Sequence, residues 1–208
     1  MPLSDLRFVD LLAAFRSPNP TPGGGSASAL SGAVGASLLA MVAGLPKSRA
    51  QGPQDETRLA AARVRCASIS DRLAALMDRD SEVYERVVVA FRLRKGSEDE
   101  KRIRVGRIQE ALRAATETPL DVMRACVDGI QSATDVAALG NANASSDVQV
   151  GLELLMAAVR GARLNVSINL TSITDQTYVG ATRNEAEELE WAAVHGRDTA
   201  IDWLPDTN

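Results

Sequence analysis

Apolar residues recur every three or four positions along most of this chain, which is the spacing of amphipathic α-helices. Polar residues fill the other faces, and Gly, Pro, Ser or Asp residues separate the periodic segments. The pattern predicts helices over Asp5–Arg16, Ala27–Leu45, Asp55–Leu93, Ser97–Thr116, from Pro119 to about Ala138, Val148–Thr171 and Asp175–Gly196. It therefore favours an all-α, antiparallel multi-helix bundle, formed by one domain over residues 1–208 with a loose tail from Asp202.

The longest predicted helix carries one carboxylate within its apolar line. Its inward positions keep a 3,4 spacing throughout: Leu59, Ala62, Cys66, Ile69, Leu73, Leu76, Asp80, Val83, Val87 and Ala90. A buried charge is costly unless it is paired, so Asp80 either forms a salt bridge with a neighbouring helix or faces a pocket. Tyr84 lies one turn further along.

The segment Pro20-Thr-Pro-Gly-Gly-Gly-Ser26 precedes the most apolar predicted helix. The prolines hold the approach extended, the glycines permit close contact with other groups, and Ser26 is a good helix N-cap. The segment is either a ligand loop at a helix N-terminus or a tight turn before a buried helix. Ser17–Pro46 has no charge, but its Gly and Ser content and the lack of a basic flank argue against a membrane span.

Helix lengths bring the glycine segment and Asp80 towards the same end of the bundle. The uncharged helix is ~30 Å long, and Asp80 lies ~38 Å along the antiparallel helix that follows it. A second polar loop, Gly140-Asn-Ala-Asn-Ala-Ser-Ser-Asp147, precedes another helix and either caps it or binds a ligand. Asn165 and Asn169 follow, and ~27 Å of straight helix separates Asn165 from Asp147. These two clusters therefore do not share one pocket within a chain.

Composition narrows the range of functions. The chain is 45% hydrophobic, 24% charged and only 3% aromatic, with a net charge of −4, so nucleic acid is not an expected partner. The residues from Arg92 to Arg107 are locally basic and either form a solvated face or receive ligand carboxylates. Two isolated cysteines and a single histidine, His195, argue against a zinc site or a Ser-His-Asp triad. We expect a cytoplasmic protein without a signal peptide.

Four segments together resemble the cyclodeaminase/cyclohydrolase family of folate enzymes. They are Pro20-Thr-Pro-Gly-Gly-Gly-Ser26 with Met41-Val42, Asp80 with Tyr84, Gly140-Asn-x-Asn-x-x-Ser-Asp147, and Asn165-Val-x-x-Asn169. Their order and spacing match the family from about Phe8 to Ile173. Leu45-Pro-Lys-Ser-Arg49 and Leu93-Arg94-Lys95 depart from the family pattern, which bears on how a glutamate tail is held.

The resemblance implies an all-α homodimer that binds tetrahydrofolate derivatives and hydrolyses 5,10-methenyltetrahydrofolate to 10-formyltetrahydrofolate. An amidinium carbon is already electrophilic, so neither a metal nor a cofactor is expected. Either Asp80 or Asp147 is the expected general base and acid, with Asp80 preferred for its inward position. Substrate-binding residues are expected among Pro22, Gly23, Gly24, Gly25, Ser26, Tyr84, Asn141, Asn143 and Lys95. Formiminotetrahydrofolate cyclodeamination and a non-catalytic folate-binding scaffold are the alternatives, and no membrane association is expected.

Overall fold

The structure is a computed structural model in which residues 1–205 are described; the last three residues of the expected loose tail lie outside the described residues. Six α-helices occur in the described part, with no strand among them: α1 (Phe8–Arg16), α2 (Gly24–Gly44), α3 (Pro53–Phe91), α4 (Glu98–Leu139), α5 (Ser145–Leu170) and α6 (Gln176–Asp202). Two short 3-10 helices, Leu3–Asp5 and Ala142–Ala144, complete the secondary structure. The predicted all-α fold is confirmed.

Helix α2 lies between α3 and α5 and runs antiparallel to both. Helix α4 packs behind this three-helix layer, and α6 packs on α4. Close packing requires small residues on α2: a Cβ on Gly35 would lie 2.7 Å from the carbonyl oxygen of Gly151 on α5. The two backbones therefore touch at this crossing, and a side chain there would separate the helices.

Helices α3 and α4 form a long antiparallel pair. The predicted apolar line of α3 is confirmed, because eight of its ten members are buried while Asp80 and Val87 are partly exposed. Beside this line, α3 carries four arginines at intervals of seven residues: Arg58, Arg65, Arg72 and Arg79. They form ion pairs with three aspartates of α4 that have the same spacing: Asp121, Asp128 and Asp135. These ion pairs join the two helices along one edge and favour a single register.

Helix α4 continues through Pro119, where the sequence predicted an end or a kink. A proline lacks the amide that would bond to the carbonyl four residues earlier, here that of Ala115. The side-chain amide of Asn169 on α5 donates to this carbonyl at 2.9 Å. A neighbouring helix thus supplies the hydrogen bond that the proline removes, which is why the helix is not interrupted.

The helix starts correct two further predictions. Helix α2 begins at Gly24 with Gly23 as its N-cap, so Ser26 lies in the first turn and is not the cap. Helix α5 begins at Ser145 without a side-chain cap, so none of Ser145, Ser146 and Asp147 caps it.

Candidate active site

A cavity of about 290 Å³ lies beyond the N-terminus of α2, in the gap between α3 and α5. The glycine segment forms one wall, and α4 contributes the floor through Leu112 and Ala115. The polar groups in the lining are Asp80, Tyr84, Asn165, Asn169 and Thr21. The volume is close to the lower end of the range for small-molecule sites, and the mouth is open. Of three larger grooves in the described structure, those of about 670 and 780 Å³ lie on other surfaces of the α3–α4 pair. The third, of about 420 Å³, adjoins the cavity and shares Thr21 with it.

Asp80 is held against the first turn of α2. The Ser26 hydroxyl, which is fully buried, donates to Asp80 Oδ2 at 2.8 Å. Gly25 permits this approach, because a Cβ at that position would lie only 2.7 Å from Asp80 Cγ and Oδ2. The carboxylate therefore rests on the backbone of a helix N-terminus, whose dipole favours negative charge. The salt-bridge interpretation of Asp80 is wrong, since no Lys or Arg lies within ion-pair distance in the described structure.

Burial raises the pKa of Asp80 above its usual value, and hydrogen bonds from the Ser26 hydroxyl and backbone amide partly oppose this increase. A carboxylate with a raised pKa is a stronger base than one in water. Such a group can accept a proton from water and return it to a nitrogen. The environment of Asp80 therefore suits general acid–base chemistry.

Asn165 and Asn169 present acceptors at this cavity. The amide nitrogen of Asn165 donates to the Gly161 carbonyl at 2.8 Å, and that of Asn169 donates to the Ala115 carbonyl at 2.9 Å. Because neither a backbone carbonyl oxygen nor a side-chain amide oxygen can donate, the side-chain atom facing each carbonyl is the amide nitrogen. The amide oxygens remain available as acceptors. Together with Asp80 they suit a ligand rich in N–H donors or positive charge.

The other predicted site residues divide between this cavity and remote places. Gly23, Gly24, Gly25 and Tyr84 line the cavity, and Pro22 adjoins it beside Thr21. Asn141, Asn143 and Asp147 lie at the opposite end of α2, where the Asn141 amide donates to the Pro46 carbonyl at 2.7 Å. Helix α2 spans ~31 Å between the two ends. Within one chain, the two candidate aspartates therefore belong to separate places.

Lys95 lies in the exposed connection between α3 and α4. Three of the neighbouring basic residues form ion pairs on their own helix: Lys101, Arg102 and Arg107 pair with Glu98, Asp99 and Glu110. Arg104 instead donates to the Phe91 carbonyl. These contacts favour the interpretation of this segment as a solvated face.

The apolar part of the cavity lining was not predicted as part of a site; it consists of Val83, Val87, Leu112 and Ala115. A signal existed, since Val83 and Val87 continue the apolar line of α3 beyond Asp80. As for metals, no group of three His, Cys, Asp or Glu side chains in residues 1–205 could hold a metal ion.

The protein is an all-α bundle with a carboxylate placed at a glycine-rich helix N-terminus. Comparisons with known proteins identify the family to which it belongs. The family model of formiminotransferase-cyclodeaminase matches residues 7–188. A methenyltetrahydrofolate cyclohydrolase from Methylorubrum extorquens is 36% identical over 88% of this chain and 86% of its own length. The chain therefore belongs to the formiminotransferase-cyclodeaminase family.

Two further relatives are named as cyclodeaminases. Formimidoyltransferase-cyclodeaminase from Gallus gallus is 33% identical over 84% of this chain, which matches only 32% of that longer protein. A crystal structure of formiminotetrahydrofolate cyclodeaminase from Thermotoga maritima superposes with a TM-score of 0.86 at 27% identity, covering 97% of each chain. The fold is thus shared between relatives named for two different reactions.

Proposed function

We propose that this protein is a methenyltetrahydrofolate cyclohydrolase, which converts 5,10-methenyltetrahydrofolate and water to 10-formyltetrahydrofolate. The observation that carries the proposal is the partly buried carboxylate of Asp80, held by Ser26 in a cavity whose other polar groups include two amide acceptors. Relatedness to a protein of that name over 88% of the chain supports the same reaction.

The cavity suits the charge of this substrate. The methenyl bridge is an amidinium cation, and Asp80 is the only charged residue among the cavity-lining residues described. An anionic carboxylate attracts the cationic ring, and this attraction is stronger in a partly dehydrated cavity than in water. The amide oxygens of Asn165 and Asn169 accept from the N–H groups of the pterin. The glycine-segment amides stabilise negative charge that develops on oxygen.

Asp80 performs both proton transfers. As water attacks the amidinium carbon, Asp80 accepts one of its protons, and a neutral tetrahedral adduct forms. Asp80 then delivers that proton to N5 as the C–N5 bond breaks, and the carbonyl of the formyl group forms on N10. The hydroxyl proton leaves to solvent, so the cation and water become neutral product and one proton. We propose that no metal or cofactor takes part, because the carbon is already electrophilic.

The test is turnover by the purified protein. Loss of the methenyl absorbance should greatly exceed the uncatalysed rate and should be unchanged by a chelator. An unaccelerated loss would contradict the proposal.

Cyclodeamination is the second candidate, and the specific observation in its favour is the fold shared with the Thermotoga maritima enzyme. In that reaction N10 attacks the formimino carbon and ammonia leaves from the same carbon, so the same carboxylate can move the protons. Ammonia release from 5-formiminotetrahydrofolate, measured beside the hydrolysis assay, distinguishes the two. A folate-binding scaffold would give binding without turnover of either substrate.

We also propose that the protein is a cytoplasmic homodimer that acts without nucleic acid or a membrane. Helix α2 is the one described helix long and apolar enough to cross a membrane, but half of its apolar window is buried in the bundle. Its outer face exposes Val34 and Met41 by 45% and 43%. An apolar face between two flanking helices is typical of a protein interface.

A further inference from the structure

The outer face of α2 carries an uncovered seam of coiled-coil type. Its members follow a 3,4,3,4,3 spacing and are all uncharged: Ala27, Leu30, Val34, Ser37, Met41 and Gly44. Each is exposed or partly exposed. A parallel row on α5 broadens this surface, with Val150, Leu164 and Ile168 exposed by 51%, 72% and 64%. In a soluble protein, a helix seam of this kind requires a helix from another molecule.

The seam is self-complementary when it is read in opposite directions. Antiparallel pairing about a point between Val34 and Ser37 sets Leu30 against Met41 and Ala27 against Gly44. Large residues then meet large ones at the flanks, and small residues meet small ones at the ends. Such a pairing is isologous, as a two-fold homodimer requires.

The candidate active site opens on this same face. Helix α2 begins at Gly24, whereas α3 and α5 continue past it to Phe91 and Leu170. Tyr84 and Ile168 flank the resulting gap and are exposed by 39% and 64%. A second copy of α2 laid antiparallel along the seam would extend its C-terminal end over this gap.

We propose that a second copy of this chain docks through the α2 seam in antiparallel register and completes each active site. The register sets the partner's Gly44 against Ala27, which brings the partner's Lys47, three residues past the end of that helix, towards the mouth of the cavity. The partner's Arg63 accompanies it, because in each chain the Arg63 guanidinium packs on Gly44, with Cζ 3.0 Å from a Cβ built there.

A partner chain would supply the positive charge that the carboxylates of a folate require and that the cavity lining lacks. This step rests on the proposed function, since a folate carries a glutamate tail with two carboxylates. The cavity-lining residues described include no Lys, Arg or His. At the other end of α2, Lys47 is exposed, and neither Lys47 nor Arg63 forms an ion pair within the described chain. Arg49 is tied to the carbonyls of Ala137 and Trp203 and is not available.

The register is tested by disulfide formation, which does not depend on activity. In the antiparallel register, Leu30→Cys and Met41→Cys should cross-link in the double variant and in a mixture of the two single variants. Each single variant alone should stay unlinked, because equivalent positions are then ~16 Å apart and a disulfide needs Cα atoms within about 7 Å. The native cysteines will not compete, since Cys66 and Cys126 are fully buried and burial raises their pKa values to about 11 and 12.

The shared site is tested by mixed dimers. Lys47→Glu should raise KM about tenfold with kcat unchanged, since it reverses one charge near a substrate carboxylate, and Lys47→Gln should have a smaller effect. When Asp80→Asn and Lys47→Glu chains are mixed, half of the dimers are heterodimers. In each heterodimer, Asp80 of the Lys47→Glu chain and Lys47 of the Asp80→Asn chain together make one complete site. About a quarter of all sites should then turn over with the original KM. As the matched control, the Asp80→Asn/Lys47→Glu double variant mixed with wild type should form no complete site in its heterodimers.

Each contrary result overturns the inference. A site contained within one chain predicts that Lys47→Glu keeps the wild-type KM, because Lys47 and Asp80 lie at opposite ends of α2 in the same chain. Cross-linking of single variants would show a parallel arrangement, and a monomer at assay concentrations would remove the partner altogether. If the register holds while no variant or wild-type protein turns over a folate, the dimer stands and the proposed function fails.

Discussion

Replacement of Gly25 by Ala tests whether the position of Asp80 matters. The new Cβ would lie 2.7 Å from Asp80 Cγ and Oδ2, whereas an ordinary contact begins near 3.4 Å. The carboxylate must therefore retreat by roughly 1 Å, and a displacement of this size at a reacting group costs about 100-fold in rate. We expect kcat/KM for methenyltetrahydrofolate to fall by about that factor.

Stability should change much less than activity in this variant. Alanine is more favourable than glycine in a helix by about 1 kcal/mol, which partly offsets the crowding of about 1–3 kcal/mol. Gly180→Ala on α6 is the matched control, because nothing lies within 4 Å of its Cβ. The assay is loss of methenyl absorbance, with thermal unfolding measured in parallel. A folded Gly25→Ala protein with the kcat/KM of the control would refute the reasoning.

Three further outcomes are expected. Ser26→Ala removes a hydrogen bond that lowers the pKa of Asp80, so the acidic limb of the pH profile of kcat/KM should move to higher pH. An unmoved limb would mean that another group titrates. Asp80→Asn should stabilise the fold more at pH 8 than at pH 4. The folded-state pKa of Asp80 is raised, so the native carboxyl becomes destabilising as the pH rises through that pKa. Equal differences in melting temperature between variant and wild type at both pH values would contradict this. Arg124→Met should lower the free energy of unfolding by about 1–3 kcal/mol with kcat unchanged, because Arg124 Nε on α4 donates to Glu185 Oε1 on α6 at 2.7 Å. An unchanged melting temperature would show that this half-exposed pair contributes nothing.

Periodicity predicted the bundle well because most helix faces are decided locally. The 3,4 spacing located every helix, and the interruption at Asp80 identified the carboxylate that the structure places in a cavity. The same helix-length arithmetic correctly separated Asp147 from Asn165. These results follow from lengths and faces, which a sequence carries directly.

Contacts between helices that are distant in sequence were not predictable in the same way. Pro119 predicted a break in the helix, because the sequence near it gives no sign of the group that replaces the missing hydrogen bond. That group is the side-chain amide of Asn169 on another helix, 54 residues from the Ala115 carbonyl that it binds. Ser26 was predicted to cap its own helix, yet its hydroxyl binds Asp80. The heptad spacing of the α3 arginines was a readable signal for the ion-pair edge, but it needed a partner helix with the same spacing to be interpreted.

The most direct test of the account is single-turnover hydrolysis of 5,10-methenyltetrahydrofolate by Asp80→Asn beside wild type and Asp147→Asn. If Asp80 transfers both protons, Asp80→Asn should still bind substrate but lose at least about 100-fold in the rate of methenyl loss, the lower end of what acid–base catalysis supplies. Asp147→Asn should retain a much larger share of that rate, because the mechanism assigns both proton transfers to Asp80. Near-normal hydrolysis by folded Asp80→Asn would contradict the account.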